Sequence, residues 1–154
     1  MFEFQDVSFG AISAVLTSLA VIIGLGGAAG TKLSIIAALL IIAVVDNITD
    51  SFGIHVHQEA ECNDVKKVRK TTLYNFTARL VITAIFILFV IVLPFNIAII
   101  LSIILGFIII ILLSHFISKR QKTNPFAAVL QHLALALIIV VASFFLRAII
   151  LRMS

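Results

Sequence analysis

Two of the chain's seven acidic side chains, Asp46 and Asp50, stand inside an otherwise apolar run. An Asp at the centre of a membrane-spanning helix costs on the order of 2.5–3.5 kcal/mol on insertion scales, so an acid in such a run has a chemical reason to be there. The local sequence is AVVDNITDSFG. The acids are four residues apart, which puts both on one helix face; Asn47 borders that face, and Thr49 and Ser51 widen it. A patch this polar is expected to face another helix, a water-filled cavity or a partner subunit. Two carboxylates one turn apart in a low dielectric do not both stay charged without a cation, and they titrate as a unit. Either a divalent cation replaces the proton, or the pair relays protons during exchange. Oxygen ligands suit hard ions such as Mn²⁺, Mg²⁺ or Fe²⁺. The plain alternative is hydrogen bonding to Ser and Thr of a neighbouring helix.

The stripe extends further. Asp46, Asp50, Gly53, His57 and Glu61 keep roughly to one side of a helix, and His55, Glu59 and Cys62 run beside them. His55, His57, Glu59 and Glu61 are therefore candidate metal ligands at the mouth of an ion path, although a solvated helix end explains them equally well. An earlier run offers Ser8, Gly10, Ser13, Thr17 and Ser18. Ser13 and Thr17 share a small, polar face that serves close helix packing or completes the coordination of an ion held by the aspartates. His115 and His132 join the other two histidines in one half of the layout, as an ion-collecting or pH-sensitive vestibule would require. No phosphate-binding loop, zinc-hydrolase motif or nucleophile elbow is present, and no nucleophile–base pair can be picked out. The expectation is a non-enzyme with no permanently bound cofactor.

These residues must be positioned by helices in a membrane. Of 154 residues 62% are hydrophobic and 12% charged, and the mean hydropathy is +1.27. A soluble domain carries roughly 25% charge, so this composition excludes a cytosolic enzyme, a nucleic-acid module and a disordered chain. Five apolar runs, at about 10–29, 33–54, 76–93, 95–117 and 126–146, are long enough to cross a hydrocarbon core of roughly 30 Å as helices. They lack the alternation of barrel strands. The prediction is an all-α polytopic protein with one membrane domain, five transmembrane helices and a polar cytoplasmic segment at 55–75. Pro94 ends the third helix and makes a tight hairpin with the fourth, and Pro125 opens the fifth. A single cysteine, Cys62, forbids an internal disulfide. The opening MFEFQD carries acids where a secretory signal carries positive charge, so the first run is expected to remain in the mature protein.

Lys66, Lys67, Arg69, Lys70, Arg79, Lys119, Arg120 and Lys122 fall on one side of a five-span layout, and Lys32, Arg147 and Arg152 on the other. That bias places the N-terminus and the 55–75 segment in the cytoplasm. Nothing in the distribution suggests nucleic acid as a partner. The compact size fits a prokaryotic plasma membrane.

The layout resembles the vacuolar iron transporter family. The similarity is densest from Phe9 to Glu61: Phe9, Gly10, Leu16 and the later GLGG resemble the family's first-helix pattern, and DNITDS followed by HVHQEAE resembles the polar end of its second helix. The stretch ISKRQKTNPFAAVLQHLALALII is also similar. In that alignment Ser13 takes the place of the family's first-helix ion-binding Asp, Asn47 that of its second-helix Met and Ser51 that of its Glu. The resemblance implies five helices, a cytoplasmic N-terminus and a homodimer with the ion path between the first helices of two subunits, Ser13 and Thr17 facing it. The resulting expectation is a transporter exporting a divalent metal ion such as Fe²⁺ or Mn²⁺ in exchange for protons. Asp46 and Asp50 would bind the ion, and Asn47, Ser13 and Thr17 would add neutral oxygens. The alternatives are a non-transporting membrane scaffold or regulatory module, and a carrier of a different solute.

Overall fold

The computed structural model describes residues 2–26, 30–61 and 64–153. It is all-α: α1 (Phe2–Leu25), α2 (Lys32–Ile41), a π-helical turn (Ile42–Asp46), α3 (Asn47–Glu61), α4 (Val65–Val92), α5 (Phe95–Gln121) and α6 (Pro125–Met153). The segments α2, π-turn and α3 make one continuous rod, so five helices are long and apolar enough to cross a membrane. Inside lipid the helix is the form that satisfies every backbone group within one segment. The hydroxyls within these helices follow the same rule. Thr17 donates to the Ser13 carbonyl, Thr49 to Val45, Thr77 to Leu73, Ser114 to Ile110 and Ser143 to Ile139, each one turn back.

Helix α1 is the hub. Half of its most apolar window is buried, against 17–33% for the other four spans. Its Val15, Leu19, Ile22 and Ile23 meet Ile35 and Leu39 of α2, Phe86 and Val90 of α4, Ile110 of α5, and Ala136 and Val140 of α6. Close approach to α5 depends on small residues. Ala98, Ser102, Gly106, Ile110, Ser114 and Ser118 are buried at four-residue intervals along one ridge. A Cβ on Gly106 would lie 2.6 Å from Cδ1 of Leu19.

The helices run beyond the apolar segments read from the sequence. The 55–75 stretch is not a separate cytoplasmic segment: α3 continues to Glu61 and α4 starts at Val65, so the polar residues are the ends of two transmembrane rods. Asp64 caps α4 by accepting from the backbone N–H of Lys66 at 3.0 Å and of Lys67 at 3.4 Å. Charged residues lengthen these helices because water at the membrane surface solvates their side chains while the backbone stays paired. The prolines act as predicted. Leu93 is extended (φ −89°, ψ 153°) ahead of Pro94, and α6 opens on Pro125. At the α3–α4 turn, Cys62 lies outside the described residues. At the opposite end, Lys32 Nζ donates to the carbonyls of Ile91 (2.6 Å) and Leu93 (3.1 Å), placing a cation on the C-terminus of α4.

Candidate functional site

The centre of the site is a residue that the sequence reading placed elsewhere. Arg79 is not a member of the basic cytoplasmic flank: it sits in the interior, 2% exposed, on α4. The basic side therefore keeps seven Lys and Arg against three on the other. The start of α4 at Val65 explains the difference, because it carries Arg79 almost four turns into the helix. Its Nη2 bonds Asp46 Oδ2 at 2.6 Å. Its Nη1 bonds Asp50 Oδ2 at 2.5 Å and Ser13 Oγ at 2.5 Å. Arg79 is thus the cation that lets two carboxylates one turn apart coexist, a role the sequence reading had left to a visiting ion.

Depth supports the pairing. Asp46 is 14 residues from Lys32, Arg79 is 13 from Val92 and Ser13 is 12 from Leu25. At 1.5 Å per residue all three lie roughly 18–21 Å from the same end of the bundle. In a core of roughly 30 Å the centre is then about 10 Å beneath the opposite, basic face. Asp46 closes the π-helical turn, and the wider turn sets the rotational phase of α3 relative to α2. Ile35, Leu39, Ala43, Asn47 and Ser51, spaced by four along the rod, are all buried.

The cluster carries two negative charges and one positive one, a net −1. The guanidinium is sealed inside, while the Asp46 and Asp50 side chains are 42% and 40% exposed on the flank of the bundle.

Asn47 and Ser51 do not join the aspartates. They are buried on the adjacent face and tie α3 to α4: Asn47 Nδ2 donates to the Phe76 carbonyl at 2.9 Å, Ser51 Oγ to Asn47 Oδ1 at 3.4 Å, and Asn75 Nδ2 to Ser51 Oγ at 3.3 Å. The interhelical role weighed for Asp46, Asn47 and Asp50 is filled by all three, the aspartates through Arg79 rather than through Ser or Thr, and Ser51 joins them. Gly10 lets α1 close on this network, since a Cβ there would lie 2.5 Å from Asn75 Oδ1 and 2.8 Å from the Asn75 carbonyl oxygen. Thr49 is exposed. Thr17 is one turn beyond Ser13 and partly buried. A signal for Arg79 and Asn75 was present in the sequence: Thr71, Asn75, Arg79 and Thr83 recur every four residues, and all four are buried.

The expected metal ligands at the mouth are not drawn together. His57 Nε2 is 3.6 Å from Glu61 Oε1, both side chains being more than three-fifths exposed. His55 turns to α4, where Nδ1 is 3.1 Å from Thr72 Oγ1. Glu59 is exposed. Among the described residues no three of His, Cys, Asp and Glu form a group that could hold a metal ion. Fold separates them because three-to-four-residue spacing on one solvated helix supplies ligands from one side only. The other two histidines also differ: His115 lies edge-on to Phe116, whereas His132 Nδ1 is 2.8 Å from Ser114 Oγ. That contact is a serine–histidine pair the sequence did not reveal. The Ser114 hydroxyl is fully buried and also donates to the Ile110 carbonyl.

The chain matches no protein-family model, and no curated protein and no solved structure matches it.

Proposed function

We propose that this multi-span membrane protein is a transporter of divalent metal ions, Fe²⁺ or Mn²⁺, which exports them from the cytoplasm in exchange for protons and works as a homodimer. The observation that carries the reading is the Asp46–Arg79–Asp50 centre, with sealed guanidinium and carboxylates that reach the flank of the bundle. Ionisable groups at this depth are kept for ion or proton traffic by default. Arg79 holds the carboxylates ready between visits. With one positive and two negative charges, each subunit lacks one positive charge. Two subunits facing each other lack two, and either one divalent cation or two protons supplies them. Metal and protons then compete on equal electrical terms, which is the requirement for exchange. Ser13 contributes by holding Arg79, and Thr17 supplies a neutral oxygen one turn further in. The basic excess on the side nearer the centre orients that side to the cytoplasm. The resemblance to the vacuolar iron transporter family points the same way.

The test is Mn²⁺ flux in proteoliposomes. Asp46→Asn and Asp50→Asn each leave a neutral cluster and are expected to lower flux at least tenfold. Flux unchanged in both removes the proposal.

A second reading is favoured by one observation: every charge in the centre already has a partner within its own subunit. The centre would then be a brace between α3 and α4 in a scaffold or regulatory module. Thermal stability in Fe²⁺, Mn²⁺, Zn²⁺ and Mg²⁺ separates the readings. Metal at 100 times its Kd adds about 2.7 kcal/mol to a binding protein and nothing to a brace. A carrier of a different solute would show flux of that solute with no metal response.

A further inference from the structure

A groove of about 370 Å³ lies where α1, α4 and α5 meet. Ala11 of α1 is buried in it, Ala78 and Ile82 of α4 line one side, and Ile109 and Leu113 of α5 line the other. Thr77 and Val81, also part of its wall, are exposed, so the groove is reached from the outer surface of the bundle. No charged side chain lines it. Its one aliphatic hydroxyl, Thr77, donates to the Leu73 carbonyl at 2.8 Å, so an occupant meets apolar surface. Along α4 the groove extends from Tyr74 to Ile82, eight residues or about 12 Å. A helix of that length, about 10 Å across, would occupy about 900 Å³. A helix therefore rests on such a groove, whereas a single acyl chain fits inside it.

Depth ties the groove to a headgroup. Helices α4 and α5 are joined at Pro94. From that end, Tyr74 is 18 residues back from Val92 and Lys70 is 22, while Arg120 is 25 residues on from Phe95. At 1.5 Å per residue these depths are about 27, 33 and 37 Å. With a hydrocarbon core of roughly 30 Å, Tyr74 stands at the boundary, where aromatic rings with a polar tip collect, and both cations stand just beyond it. Both also keep to the groove's face. Lys70 is one turn from Tyr74, with its Nζ 5.5 Å from the centre of that ring. Arg120 is seven residues from Leu113 and Lys67 seven from Tyr74, close to two whole turns each. Contacts within the chain engage Lys67, Lys70 and Arg120 as well. Seven Lys and Arg against Glu3, Asp6, Glu59, Glu61 and Asp64 leave this end of the bundle at a net +2.

We propose that the groove holds one acyl chain of an anionic phospholipid, whose phosphate is received by Lys70 and Arg120 with Lys67 beside them. Basic pockets between transmembrane helices recognise acidic lipid headgroups in this way. Chain and headgroup meet matching surfaces at successive depths: apolar walls, then the amphipathic ring of Tyr74, then cations. A zwitterionic lipid suits the walls equally well but brings an ammonium group to the cations, so headgroup charge decides between them. The site touches neither Asp46 nor Asp50, and it stands whether or not the charged centre moves ions.

Tyr74 is the chain's one tyrosine and tryptophan is absent, so intrinsic fluorescence reports on the groove directly. The protein is reconstituted in phosphatidylcholine containing a small fraction of phosphatidylglycerol, with bromine carried on the acyl chains of one lipid at a time. Quenching by the two brominated lipids gives the preference of the site for phosphatidylglycerol. One cation beside an anionic lipid is worth about fivefold, so a preference of at least threefold is expected. Lys70→Gln with Arg120→Gln should return the two lipids to equal quenching. Arg69→Gln with Lys122→Gln removes the same charge from the same end but away from the groove, Arg69 being roughly 140° around α4 from Tyr74, and should leave the preference intact. Ala78→Phe fills the groove and should lower quenching by both lipids. Equal quenching in the native protein overturns the proposal, and so does a preference that survives Lys70→Gln with Arg120→Gln. A preference lost equally in the Arg69 and Lys122 pair means diffuse surface charge, and quenching unchanged by Ala78→Phe puts the chain elsewhere; either result also overturns it. Each preference is a ratio within one variant, whose helix content is first checked by circular dichroism.

Discussion

Neutralising Arg79 should damage the fold more than neutralising either aspartate, and removing all three charges should damage it less than removing the arginine alone. The charge count gives the reason. The native cluster is −1; Asp46→Asn or Asp50→Asn leaves one balanced pair; Arg79→Gln leaves two facing carboxylates at −2; the double aspartate variant leaves a buried guanidinium at +1 with only neutral oxygens, those of two amides and Ser13, to accept from it. Losing one charge-assisted hydrogen bond to a half-exposed carboxylate costs about 1–2 kcal/mol. Breaking a buried pair by removing one partner costs about 3–5 kcal/mol, and the partial exposure of both aspartates, which lets them turn apart, puts Arg79→Gln near 3. The double aspartate variant falls at the upper end, because Arg79 is only 2% exposed. The triple variant returns to zero charge with three hydrogen-bonding amides and should fall below both. At roughly 2–4 °C per kcal/mol for a chain of this size, Arg79→Gln lowers the melting temperature by about 6–12 °C. The chain has no tryptophan, so unfolding in detergent is followed by far-UV circular dichroism. An Arg79→Gln variant no less stable than Asp46→Asn, or a triple variant less stable than Arg79→Gln, would refute the charge-balance argument.

Two further predictions concern packing and the far end of the bundle. Gly106→Ala places a methyl 2.6 Å from Leu19 Cδ1 and should cost about 1–3 kcal/mol by overpacking; Leu19→Ala in the same chain should cost less than it does alone, which a double-mutant cycle measures as coupling between α1 and α5. Lys32→Met removes the bonds to the Ile91 and Leu93 carbonyls and should lower stability by about 0.5–1.5 kcal/mol while leaving Mn²⁺ flux within twofold of wild type, because it lies at the opposite end from the charged centre.

The sequence by itself determined that the chain is helical, that it crosses the membrane five times, and where prolines break the rods. These are consequences of local composition, since hydrocarbon accepts an apolar run of sufficient length whatever its neighbours are. It also marked Asp46 and Asp50 as residues in need of a counter-charge. Tertiary structure decided what the counter-charge is. Arg79 is 33 residues from Asp46 in sequence, and its side chain reaches the carboxylates only because α4 begins at Val65, the π-turn fixes the rotation of α3, and Gly10 lets α1 come close. The fate of the polar neighbours was settled in the same way: Asn47 and Ser51 went to the α4 interface, His55 to Thr72 and His132 to Ser114. Hydropathy is a sum along one segment, whereas pairing depends on depth and azimuth between segments, and those are set by which helices pack together.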